Sequence, residues 1–232
     1  MQPSPIIDIR GLRYRYPDGT VALDGVDFQL HDGETVALLG ANGSGKTTFV
    51  LHLNGLIFGE GRIQVCGMVM NNKNLAAIRR KVGLVFQDSD EQLFMPSVLE
   101  DVAFGPMNQG IPAAQAALQA LDALQLVGMT HASTKAPYHL SAGEKRRVAL
   151  AGVLVMNPSV LVLDEPTTFL DPPGQRELVA LLKRLPQGKI IVTHDVSFAG
   201  ALATRAVFFT QGKITGEGSV NEIIQRFDWG AV

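Results

Sequence analysis

The chain has 232 residues, with 20 Lys and Arg against 22 Asp and Glu for a formal net charge of -2, and 46% of it is hydrophobic. That is enough chain for one large domain with a real core, and it excludes disorder; a near-neutral balance also leaves no basic sheath for nucleic acid. Charged residues reach only 18%, below the roughly 25% of ordinary soluble domains, which points to surface covered by a partner.

In chain order, residues 1–8 show no basic region followed by an apolar run, so no secretory signal is read. Residues 6–16 read as a strand ending at the turn sequence Pro17-Asp18-Gly19, and 26–30 alternate as a second. Residues 35–39 form a short apolar run of the kind buried on both faces of a parallel sheet. A glycine-rich stretch follows, then an expected helix to about Leu56, with further strands at 61–66 and 82–86. Between Asp88 and about Pro158 the pattern turns helical. Pro112 opens a helix with Ala116, Leu118, Leu121, Leu124, Leu126 and Val127 at helical spacing, and another is expected over 143–156. Strand and helix then alternate again: strands at 160–163 and 189–192 around a helix at 172–184, a hairpin from 206–210 and 213–217, and a closing helix at 220–226. The expected fold class is α/β, a parallel sheet flanked by helices and interrupted by a helical insert.

Other signals are negative. Cys66 is the single cysteine, so no internal disulfide and no Cys/His metal cluster is expected, and the five histidines are scattered. The longest apolar stretch, 148–156, is nine residues, whereas a membrane-spanning helix needs about 20. The chain therefore reads as cytoplasmic.

Gly40-Ala41-Asn42-Gly43-Ser44-Gly45-Lys46-Thr47-Thr48 fits the phosphate-binding loop, Gly-x4-Gly-Lys-Ser/Thr. Its glycines let successive backbone N–H groups point at phosphate oxygens, and the following helix adds its positive end. Lys46 would reach the β- and γ-phosphates, and the Thr47 hydroxyl would bind Mg²⁺. The strand at 160–163 delivers Asp164 and Glu165 at its carboxyl end, where a doubly wound sheet places its chemistry. Asp164 would hold Mg²⁺ through water, and Glu165 would orient and deprotonate the attacking water. This far, the reading is a P-loop NTPase.

The ordered set Leu140-Ser141-Ala142-Gly143-Glu144, Asp164-Glu165-Pro166-Thr167, Leu170-Asp171 and His194 resembles that of the ATP-binding-cassette ATPases, over nearly the whole chain. The resemblance implies an α/β nucleotide-binding core with an N-terminal antiparallel β-subdomain, over 1–87 and 159–232, and a helical signature subdomain over 88–158. It implies ATP and Mg²⁺ as cofactors. Ser141, Ala142, Gly143 and Glu144 match the signature motif, which caps the γ-phosphate of ATP held by the other subunit, and Asp171 is expected among the ATP-binding residues. Two chains, a homodimer arranged head to tail, would then bury two ATP molecules. The resemblance further matches Gln87 to the glutamine that touches Mg²⁺ and the attacking water. His194 matches the histidine on the γ-phosphate, and Tyr16 the aromatic stacked on adenine, with Tyr14 on the same strand face as its rival. Asn42, Gly43, Ser44 and Thr48 belong to the phosphate loop.

Two departures stand out. Ala142 and Glu144 replace the glycine and glutamine usual in the signature, and Phe169 occupies a position where small residues are common. Alanine fits if its φ is negative, while glutamate brings a negative charge near ATP. The Lys145-Arg146-Arg147 run reads most simply as a solvated helix face.

The segment Asp88-Ser89-Asp90-Glu91-Gln92-Leu93-Phe94 resembles the short helix of energy-coupling-factor (ECF) transporters, importers of vitamins and transition metals. The strings Val85-Phe86-Gln87 and Tyr14-Arg15-Tyr16-Pro17-Asp18-Gly19 resemble that group too. In it, Asp90, Glu91, Gln92, Leu93 and Phe94 would contact the transmembrane T component, with a substrate-binding membrane subunit engaged indirectly. The protein would sit peripherally on the cytoplasmic face of the cell membrane. The chain ends soon after its last expected helix, without the C-terminal dimerisation domain of longer relatives. With one intact set of motifs, this suits the dedicated cobalt or nickel importers, with biotin as the alternative. Other readings are an exporter's ATPase, a soluble cassette ATPase unconnected with transport, or a P-loop kinase or switch.

Overall fold

In the computed structural model, which describes residues 4–229, the alternating N-terminal segments become strands β1 (Ile7–Arg15) and β2 (Val21–Leu30). They pair antiparallel, with Ile7 opposite Leu30 and Ile9 opposite Phe28, so one face of the pair is buried. β2 starts at Val21 rather than Val26, because pairing of Arg15 with Val21 extends the ladder beyond the alternating run. The apolar run Thr35–Leu39 forms β3, buried at every position, which leaves this sheet for a second one. Helix α1 (Lys46–Leu53) follows the phosphate loop and stops short of Leu56, since Gly55 takes φ +66°. β4 (Glu60–Val65) lies on the other side of β1, and β5 (Met68–Val69) completes a four-stranded antiparallel sheet in the order β2-β1-β4-β5. Cys66, expected in a strand, instead makes the tight β4–β5 turn with Gly67, both with positive φ.

Helix α2 (Leu75–Lys81) leads into β6 (Val82–Val85), after which come α3 (Val98–Asn108), α4 (Ala113–Leu126) and α5 (Ala142–Leu154). The C-terminal third supplies β7 (Val160–Asp164), α6 (Pro172–Arg184), β8 (Gly188–Val192), α7 (Val196–Leu202), β9 (Arg205–Thr210), β10 (Lys213–Gly218) and α8 (Val220–Arg226). The larger sheet has the order β10-β9-β3-β8-β7-β6, parallel except for the β9–β10 hairpin, so it is mixed rather than wholly parallel. The parallel strands all end on one side, and the loops carrying the expected chemistry leave from there.

Helices α2, α3 and α7 were not expected. α3 carried a readable start, Ser97-x-x-Glu100, and the Ser97 hydroxyl accepts from the Glu100 N–H at 3.3 Å; Gly105 and Pro106 in its last turns obscured it. In α4 the buried side is Ala116, Ala120, Ala123 and Leu124, while Leu118 and Leu126 are exposed, a correction to the expected apolar face. In α5 the supposed solvated run is also corrected: Arg146 is only 4% exposed.

Candidate functional site

The phosphate loop is shaped by its glycines. Gly40, Gly43 and Gly45 have φ of +132°, +75° and +107°. A Cβ on Gly40 would lie 2.3 Å from the Phe209 carbonyl oxygen, and one on Gly45 2.5 Å from that of Ala22. The loop is backed by the β9–β10 hairpin, whose Gly212 N–H donates to the Ser44 carbonyl at 2.9 Å. Lys46 is buried and donates from Nζ to the carbonyls of Gly40 at 2.6 Å and Ala41 at 2.9 Å. Burial lowers its pKa, and the charges of Glu165 and Asp164 work against that shift.

The Thr47 hydroxyl, at the start of α1, donates to Asp164 Oδ2 at 3.1 Å, joining the end of β7 to the loop after β3. Burial raises the Asp164 pKa; the Thr47 hydrogen bond opposes this, and Glu165 adds to it. Glu165 is buried in the left-handed region at φ +46°, and His194 Nδ1, just past β8, lies 2.8 Å from its Oε2. A non-glycine residue held there stores backbone strain of about 1–3 kcal/mol, as active sites commonly do. Gln87, exposed and just past β6, lines the same cleft of about 470 Å³, along with Asn42, Gly43, Gly45, Lys46, Thr47, Thr48 and Tyr16. The geometry also separates the two tyrosines. Tyr16, 37% exposed, bonds through its hydroxyl to Thr48 Oγ1 at 2.9 Å and faces the cleft. Tyr14 packs edge-on between Tyr16 and buried His52, with ring centroids 5.0 Å apart on each side.

The structure does not bring the remaining expected residues into this cleft. Ser141, Ala142, Gly143 and Asp171 border a different one, of about 680 Å³, between α4, α5 and α6. Asp171 caps α6 by accepting from the Gly174 N–H at 2.9 Å. Ala142 opens α5 and is not among the positive-φ residues, so alanine fits there. Glu144 forms a capping box with Ser141: one carboxylate oxygen accepts from both the Ser141 N–H and its hydroxyl at 2.8 Å. Phe169 is highly exposed at φ +64°.

The ABC transporter family profile matches residues 23–168. The chain is 47% identical over 224 residues to the energy-coupling factor transporter ATP-binding protein EcfA of Methanosphaera stadtmanae, covering 94% of this chain and 81% of that one. Its fold matches cbiO1 from Clostridium perfringens, described as part of the ABC transporter complex cbiONQ, with TM-score 0.86 and 37% identity over 97% and 93% of the two chains. It also matches a dimeric post-hydrolysis state of the ATP-binding cassette MJ0796 bound to ADP and Pi, with TM-score 0.84 and 26% identity over 92% and 98%. The chain is an ABC transporter ATP-binding subunit.

It is an ATPase of the ECF type, binding ATP with Mg²⁺ and hydrolysing it in the service of transport. The cassette's residues fit those groups. The positive-φ glycines make a nest of N–H donors at the start of α1. The buried Ser44 hydroxyl has no partner of its own. Thr47 and Asp164 offer the hard oxygen donors that Mg²⁺ prefers. Among the described residues no group of three or more His, Cys, Asp or Glu is placed to hold a metal.

Three residues around the cassette's site were not singled out from sequence. Thr20, Val21 and Ala22, at the start of β2, form one wall of the cleft. Gln92 accepts from the Phe86 N–H at 2.9 Å and donates to the Leu84 carbonyl at 3.1 Å, extending the edge of β6 with a side chain. Asp90, expected to face a partner, pairs with the cassette's own Lys145 at 2.6 Å. Leu93 packs against the helical core, whereas Phe94 is 64% exposed and meets Phe104 edge-on at 5.0 Å.

Proposed function

We propose that this cassette drives an ECF-type importer of cobalt or nickel ions, as a homodimer that closes head to tail around two ATP molecules. One observation carries the catalytic reading: residues from the ends of β3, β6, β7 and β8 converge on one cleft beside Lys46. In this reading Lys46 exchanges its backbone carbonyl partners for the β- and γ-phosphates. Thr47, Asp164 and Gln87 hold Mg²⁺, which when bound neutralises charge on the transferring phosphoryl group. Glu165 takes the proton of the attacking water, His194 steadies both that carboxylate and the γ-phosphate, and Tyr16 stacks on adenine. Ser141 and the N–H groups opening α5 cap the partner's γ-phosphate, with Asp171 beside them. The separation of the two clefts within one chain supports this reading.

The nucleotide-binding core spans 1–87 and 159–232, and the helical stretch 88–158 works as the moving unit that meets the membrane. Asp90, Glu91 and Phe94, all exposed, are its contacts with the T component at the cytoplasmic face, whereas Gln92 and Leu93 hold the segment in place from within. Glu91→Lys with Phe94→Asp, both exposed positions, should leave soluble ATPase activity intact and abolish co-purification with the membrane subunits. Retained assembly would remove the segment from the interface. The cargo reading rests on the single intact set of cassette motifs, which suits a dedicated homodimeric importer. In cells lacking the protein, uptake of labelled cobalt or nickel should fail and return with the wild-type chain but not with Glu165→Gln; a defect in biotin uptake alone would overturn it.

A further inference from the structure

Arg146 lies in α5, one turn beyond the Ser141 cap, and is 4% exposed. Its guanidinium donates to three backbone carbonyls on two segments: Gln87 at 2.6 Å, Phe86 at 3.0 Å and Asp164 at 3.4 Å. Its hydrogen bonds go to no carboxylate; Asp164, Asp88 and Glu165 supply attraction at longer range. An apolar side chain of similar length would fill the space without desolvating a cation, so packing alone does not account for the residue. Its fork does something packing cannot: it fixes the backbone of Gln87 and of Asp164 relative to each other. The neighbouring residue adds a different, surface tether, since Lys145 Nζ reaches the Asp90 carboxylate at 2.6 Å. One turn of α5 therefore grips the Gln87 segment at both ends, and that helix begins with Ser141.

We propose that Arg146 is a positioning residue for ATP hydrolysis, holding Gln87 and Asp164 in register for Mg²⁺ and the attacking water and tying both to the helix that caps the partner's ATP. This rests on the site assignment above. The residue touches no reacting atom; it sets where two side chains that do so begin.

The test is Arg146→Lys in the full chain, because an ammonium cannot reproduce the planar fork. In the protein without nucleotide, amide exchange over residues 84–92 should rise about tenfold while β3 and β8 stay unchanged, a local opening rather than global loosening. The Mg²⁺ concentration for half-maximal phosphate release should rise by about tenfold, the usual scale for losing a group that orients metal ligands. ATP binding without Mg²⁺ should hold steady. Unchanged exchange and unchanged Mg²⁺ demand, or faster exchange in β3 and β8 as well, would overturn the proposal. Should Arg146→Lys fail to fold, Lys145→Met removes the outer tether and should speed exchange over 88–91 by about threefold; no change there would overturn it equally. Wild-type protein that released no phosphate with Mg²⁺ would instead sink the site assignment, and the exchange measurement would still decide the role of Arg146.

Discussion

Glu144 occupies, with one carboxylate oxygen, both donors of Ser141 that the proposed closure assigns to the partner's γ-phosphate. Those hydrogen bonds to Ser141 hold the Glu144 pKa below its usual value, so it stays charged at neutral pH. In that closure two anions could not share the donors, so the carboxylate would have to swing aside as ATP arrives. Removing its charge should lower the ATP needed for half-maximal dimerisation about fivefold, equivalent to about 1 kcal/mol for a solvent-exposed like-charge pair. The measurement is light scattering of Glu144→Gln in a Glu165→Gln background. Ser219 and Glu222 form a second capping box with the same distances, so Glu222→Gln is the matched control and should leave dimerisation unaltered. Equal effects of the two changes would mean that Glu144 is a helix cap and nothing more. Lys46 and Glu165 belong to the same scale. Lys46→Ala should lose ATP affinity, because charge-assisted contacts to phosphate disappear. Glu165→Gln should bind ATP yet turn it over about 10²- to 10⁴-fold more slowly, and near-normal phosphate release would remove Glu165 from its role.

Among elements, the β9–β10 hairpin matters more to the site than its sequence suggests. Its two-residue turn, Gln211 and Gly212, has φ of +48° and +77°, as the twist of a tight hairpin requires. Gly212 is pressed against β2: a Cβ would fall 2.8 Å from the Ala22 carbonyl oxygen. Its carbonyl accepts from Asp24 while its N–H holds Ser44. The hairpin tip thus braces the phosphate loop against the smaller sheet. Gly212→Ala should cost about 1–3 kcal/mol in thermal unfolding, as strained backbone positions do, and weaken ATP binding although it touches no nucleotide. Stability lost with ATP affinity unchanged would show that the brace does not shape the loop.

For the whole molecule, the two clefts bear on how many copies make a working unit. If each ATP needs the phosphate loop of one chain and Ser141 of the other, mixing Lys46→Ala with Ser141→Arg chains should give dimers with at most one intact composite site. Their activity should stay near half that of wild type or below. Light scattering on Glu165→Gln with Mg-free ATP should show monomer becoming dimer. A mass that stays monomeric at saturating ATP would end the head-to-tail reading.

The sequence alone determined whatever lies close together along the chain. Gly40 to Thr48 follows an apolar strand, Asp164 and Glu165 end another, and His194 ends a third; short-range spacing carries each of these because strand, turn and helix start are local events. It also determined that Ala142 could stand at the head of α5, subject only to its φ. The tertiary structure decided what depends on contacts between distant segments. Burial of Arg146 follows from packing α5 over β6 and β7, which no feature of Lys145-Arg146-Arg147 encodes. Asp90 stays exposed yet pairs with Lys145, 55 positions later, at 2.6 Å. Exposure of Leu118 and Leu126 reflects which side of α4 meets α3 and α5, and helical spacing alone gives a periodicity without saying which residues face the core. A charge next to an apolar run looks the same in sequence whether water or a backbone carbonyl receives its hydrogen bonds, and only the folded chain distinguishes them.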